Sequence, residues 1–179
     1  MKRLLFALSA ALLPAVCVTL LPAQMAHEGM KHEAGVPSKT LALTGLDGST
    51  RTLSADDLKA LPHVSVAVTN GHTHQQETYS GVPVKDLLAL VASKPGAGPH
   101  VSPRTTVVIA GATDHFQVVL TMCDTDPGCR SGQAIVADAE DGKPLTADGA
   151  FKLILTEDKM PGRWTRNLDS LTEKNVGAM

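Results

Sequence analysis

At 179 residues, with 43 % apolar and 19 % charged side chains, the chain can bury one real core and is too apolar for disorder. Sixteen Lys and Arg against eighteen Asp and Glu leave a formal charge of −2, which gives no electrostatic basis for binding nucleic acid. Aromatics are only 3 %, too few for base-stacking platforms.

Met1-Lys2-Arg3 is a short positive start, and the run from Leu4 to Leu21 is apolar apart from Ser9 and Thr19. Pro22 closes it and small residues follow at Ala23 and Ala26, the layout of a signal peptide over residues 1–26. A membrane anchor is the rival reading, since about 18 apolar residues suffice to span a bilayer. Cleavage predicts a periplasmic protein with no remaining membrane segment. It removes Lys2 and Arg3 but no acid, taking the charge from −2 to −4. It also removes Cys17 and leaves Cys123 and Cys129. An even pair in an exported protein is expected to close a disulfide, and Asp124-Thr125-Asp126-Pro127-Gly128 between them reads as a turn.

Residues 27–39 are polar and aperiodic, the pattern of a flexible mature N-terminus. Thr40 to Thr44 alternates, Asp47-Gly48 turns and Thr50 to Leu53 returns, a hairpin signal. Ser54 with Asp56 and Asp57 caps a short helix that runs to Leu61 and stops at Pro62. Val64, Val66 and Val68 predict a strand with one buried face. Asn70-Gly71 turns that strand, and His74 to Tyr79 can pair back.

Val84 to Val91 predicts a second helix, and residues 93–104 a Pro- and Gly-rich loop. Strands are then expected at Thr105 to Ala110, Phe116 to Leu120 and Gln133 to Ala139. After an Asp141-Gly142 turn, Phe151 to Thr156 alternates again, and Arg163 to Leu171 reads as the last strand. Many short strands with two or three short helices, and no regular β-α-β order, predict one β-rich α+β domain over residues 40–179.

Four segments, in order, resemble the oxidoreductase molybdopterin-binding domain, the sulfite-oxidase-like family. Tyr79-Ser80-Gly81-Val82-Pro83-Val84-Lys85-Asp86-Leu87-Leu88 is similar to its aromatic-x-Gly-Val-Pro-Leu-x-Asp-Leu-Leu segment. Val107 to Phe116 resembles its strand–turn–strand around Ala-x-Asp-Gly-Tyr, and Asp141-Gly142-Lys143-Pro144-Leu145 its Asp-Gly-x-Pro-Leu turn. Arg163-Trp164-Thr165-Arg166-Asn167 looks like its closing Arg-Trp-Val-Arg-Asn.

The resemblance implies a mixed, barrel-like sheet fold, a molybdenum cofactor and oxidoreductase chemistry. It would place Arg163, Trp164 and Arg166, with Lys159, at the pterin's phosphate end, and Asn70 and His72 near its reactive end. Catalytic members ligate molybdenum through a cysteine thiolate shortly after the first core strand. Here that stretch, Val68 to His74, holds none, and imidazole or amide groups do not replace a soft thiolate.

Alternation would set Trp164 and Arg166 on one face of the last strand, with Arg163 and Thr165 on the other. On an extended segment His72 and His74 would face one side, half of a zinc or copper site that Glu77, His63 or His115 would have to complete. His27, Met30 and His32 form a second set that suits copper. Two function classes follow. One is a cofactor-binding, oxidoreductase-associated protein; the other is a non-catalytic periplasmic module for a metal, a small anionic ligand or a partner such as a redox protein.

Overall fold

The computed structural model describes residues 35–92 and 102–177; residues 1–26, read above as a signal peptide, and the His27, Met30, His32 set lie outside them. Two open sheets carry the domain. The first has the order β2-β1-β10-β5-β6, from Thr40–Thr44 (β1), Thr50–Ser54 (β2), Thr106–Ala112 (β5), Gln117–Thr121 (β6) and Leu168–Asn175 (β10). The second runs β3-β4-β7-β8, from Val64–Thr69 (β3), Gln76–Pro83 (β4), Ala134–Glu140 (β7) and Lys143–Pro144 (β8). Lys152–Leu155 (β9) also pairs with β7 in that sheet. Neither sheet closes on itself, so the expected barrel is a pair of open sheets.

The alternation read at β1 and β3 is the packing observed. Leu41 and Leu43 are fully buried, and Val66 and Val68 are buried. Ser54 starts helix α1 (Ala55–Lys59) with a capping box. Its hydroxyl accepts from the Asp57 N–H at 3.2 Å, and its own N–H donates to the Asp57 carboxylate at 2.8 Å. Helix α2 (Val84–Ala89) follows Pro83 and buries Val84, Leu87 and Leu88. Between β4 and β7 the register shifts at Ser80/Gly81, and the backbones approach so closely there that a Cβ on Gly81 would lie 2.5 Å from the Ala137 Cα.

Three expectations change. Val36 to Ser38, read as the end of a flexible tail, are tied to the domain: the Thr113 hydroxyl donates to the Val36 carbonyl at 2.6 Å and the Ala150 N–H to Ser38 at 3.0 Å. Phe151 to Thr156 does not alternate, because every residue from Phe151 to Leu155 is buried. Both faces of the strand pack into the core, and its outer edge is paired as well: Leu153 and Thr165 exchange backbone hydrogen bonds at 2.9 and 3.2 Å.

The last strand is the third. Pro161–Arg163 is a 3₁₀ turn, Trp164 to Arg166 run beside β9, and Asn167 takes a left-handed φ of 51°. That residue redirects the chain from the second sheet into the first, where β10 begins at Leu168. Among the described residues no helix is long and apolar enough to cross a membrane.

Candidate functional site

The ends of β3, β9 and the Pro161–Trp164 segment border an open cleft of about 380 Å³. Its lining includes Asn70, His72, Trp164 and Arg166, four residues the sequence singled out, together with Asp148 and Lys152, which it did not.

Asn70 ends β3 and shapes the turn after it. Its side-chain Oδ1 accepts from the His72 N–H at 2.9 Å, while its Nδ2 donates to Glu77 at 2.8 Å. The His74 N–H reaches back to the Asn70 carbonyl at 2.8 Å, and His74 itself is left-handed, with φ 57°. The segment is therefore a tight turn and not extended chain. Alternation does not pair the two imidazoles, and only His72 borders the cleft. Gly71 packs against the Lys159–Met160 backbone: a Cβ there would sit 2.7 Å from the Met160 sulfur. Among the described residues no group of three or more His, Cys, Asp or Glu converges as a metal site.

Behind the turn runs a directed chain of hydrogen bonds. Lys152 Nζ donates to the Tyr79 hydroxyl at 2.9 Å, and Tyr79 donates to Glu77 at 2.8 Å. Burial pushes the Tyr79 phenol far above its ordinary range and the bond to Glu77 adds to this, so Tyr79 stays protonated. Lys152, buried in the otherwise apolar β9, is answered by Asp148 at 2.7 Å and Glu140 at 4.0 Å. A lone lysine inside that apolar run was the available signal for it.

Arg166 differs. Its side chain is 73 % exposed, and its Nε lies 3.8 Å from Asp148. Trp164 closes one wall, nearly perpendicular to the Tyr79 ring at 5.9 Å, with its indole N–H donated to the Leu155 carbonyl at 3.0 Å.

Two predicted cofactor residues stand apart. Arg163 turns the other way, gripping Asp158 with two bonds at 2.5 and 2.9 Å and approaching Asp124 at 3.4 Å. Its charge is spent on structure. Lys159 is exposed and does not line the cleft. Cys123 and Cys129 form the expected disulfide.

The donor set does not fit molybdenum held through a thiolate. Both cysteines among the described residues are joined to each other and line a different cleft, leaving amide, imidazole and carboxylate groups here.

No family model matches the chain, and no curated protein sequence matches it either. Among solved structures, the sulfane dehydrogenase SoxCD from Paracoccus pantotrophus matches with a TM-score of 0.58 at 17 % identity. The match covers 78 % of this chain and 39 % of that one, so the chain spans well under half its neighbour's length. At that identity the likeness concerns fold alone: a sheet-rich α+β domain consistent with the sulfite-oxidase-like architecture that the sequence resembles.

Proposed function

We propose that the chain is an exported, periplasmic binding module on an oxidoreductase-type scaffold, and that its cleft takes a small ligand carrying an oxyanion group. The observation that carries this reading is Arg166. Lys152 is neutralised by Asp148 and Glu140, whereas Arg166 is exposed at the rim and held only loosely by Asp148. An incoming oxyanion exchanges that loose contact for a short, charge-assisted one, beside Asn70 and His72. Asp148 competes with the ligand for the same cation. The scaffold's likeness to a dehydrogenase supports a redox setting, and a periplasmic redox protein is the partner class it suggests.

Trp164 is the sole tryptophan, so its emission reads the cleft directly. Titration with sulfate and with phosphate is expected to change that emission saturably. Arg166→Gln should weaken binding about tenfold, the loss of one charge-assisted bond. Asp148→Asn should tighten it by removing the competitor. Equal affinities in all three proteins would exclude the cleft as the anion site.

Protein purified from its native host without chelator provides the second check, by metal analysis and fluorescence of released, oxidised pterin. Stoichiometric molybdenum and pterin would replace the module reading with a cofactor-bearing oxidoreductase. Copper or zinc without pterin would move the site to His72 and His74 or to the His27, Met30, His32 set.

A further inference from the structure

Cys123 and Cys129 sit away from the Arg166 cleft, and both are exposed. They border an open cleft of about 580 Å³ whose apolar wall is Pro103 and Met122 and whose charged residues are Arg104 and Asp126. The loop they close is short, and short loops lose little chain entropy on cross-linking.

The same loop is also held without the bridge. Thr121 and Asp124 form a capping box around Met122–Thr125. Asp126 accepts from the Gly128 N–H at 3.0 Å through its carboxylate and from the Cys129 N–H at 2.9 Å through its carbonyl. Both carboxylates have cations of their own: Asp124 meets Arg130 and Arg163, and Asp126 meets Lys85 at 3.1 Å. The bridge is exposed, and these hydrogen bonds and ion pairs hold its loop beside it.

We propose that Cys123–Cys129 is a thiol–disulfide exchange site whose substrate is a dithiol. A thiolate of the dithiol attacks one sulfur, the S–S bond breaks, and the other sulfur leaves with the electron pair and takes up a proton. The dithiol's second thiolate then displaces the mixed disulfide. Two electrons and two protons pass to the chain, and the dithiol departs as its own disulfide. Arg104 is a positioning residue that favours the leaving thiolate by its charge. Reversal by a disulfide of the same class recloses the bridge.

The test uses the intact oxidised protein and a small excess of dithiothreitol, without denaturant. Two thiols should appear by alkylation and mass measurement, with far-ultraviolet dichroism unchanged, and once the dithiothreitol is removed an excess of oxidised glutathione should reclose the bridge. Arg104→Gln is expected to slow the reduction roughly fivefold, and Arg104→Lys to restore most of the rate. Thiols that appear only in denaturant, or a fold that collapses on reduction, would overturn the proposal. An Arg104→Gln rate equal to wild type would remove Arg104 from it. None of these readouts depends on anion binding at the other cleft.

Discussion

Trp164→Ala is expected to lower stability by about 4 kcal/mol, within the range for deleting a buried aromatic. The indole is 8 % exposed and packs edge-on to Tyr79, itself fully buried. It also pins the segment that crosses between the sheets, through its N–H on the Leu155 carbonyl. Removing it leaves a cavity and takes a donor from the Leu155 carbonyl, which keeps the Asp158 N–H at 3.3 Å. Trp164→Phe keeps a ring against Tyr79 but loses the hydrogen bond and part of the buried volume, so it should cost less, about 2 kcal/mol. Because no other tryptophan remains, urea unfolding must be followed by circular dichroism. A loss under about 1 kcal/mol for the alanine variant would mean that the crossing segment is held by Leu153 and Thr165 instead.

The hairpin β1–β2, α1 and β3 were legible because each obeys one local rule. Leu41 and Leu43 follow period two on a sheet with one covered face, and Ser54 with Asp57 is a capping pair whose chemistry is complete within four residues. Helix α3 (Met122–Thr125) carries the same signal, Thr121 followed by Asp124 three residues later, but it was hidden inside a segment read as a turn. β9 was less legible. Both its faces pack into the core while a segment returning from beyond Pro161 pairs its edge, and no local pattern encodes either.

The site divides along the same line. Asn70, His72, Trp164 and Arg166 were found because motif and turn chemistry mark them, and the fold brings them to one cleft. Arg163 was misplaced by the resemblance, which grouped it with Trp164 and Arg166; alternation had set it on the other face, and the structure turns it away to Asp158. Asp148 was missed because it lies in a loop whose position is fixed only when its carbonyl accepts from the Asn167 N–H at 2.6 Å. His74 shows the reverse error, since a positive φ within a turn cancels the extended geometry that would have aligned it with His72. Charges whose partners meet them only through the folded chain are therefore the least legible class, even when the partner is near in sequence, as Asp148 is to Lys152, Asp158 to Arg163 and Arg130 to Asp124.

Asp124→Asn follows from that class and is expected to cost about 3 kcal/mol near neutral pH. The carboxylate is 5 % exposed and accepts from the Thr121 N–H at 2.8 Å and the Thr121 hydroxyl at 2.7 Å. It also answers Arg130 and, at 3.4 Å, Arg163. Burial alone would push this carboxyl up. The Thr121 donors, helped by Arg163 and Arg130, outweigh burial and hold it below the ordinary carboxylate range. A carboxyl lowered in the folded state binds its proton more weakly there than in the unfolded chain, so its contribution is present above the unfolded value and fades as pH falls through the folded one. The stability gap between wild type and Asp124→Asn should therefore be widest near neutrality and narrow below about pH 4. Asp126, lowered by the Gly128 N–H and by Lys85, affects both proteins alike, whereas Glu157 shares Arg130 with Asp124 and shifts along with it. Urea midpoints measured for the two proteins across that range decide the matter. A gap that stays constant with pH would assign the cost to the shape of the amide and not to the charge that joins Asp124 to Arg130 and Arg163.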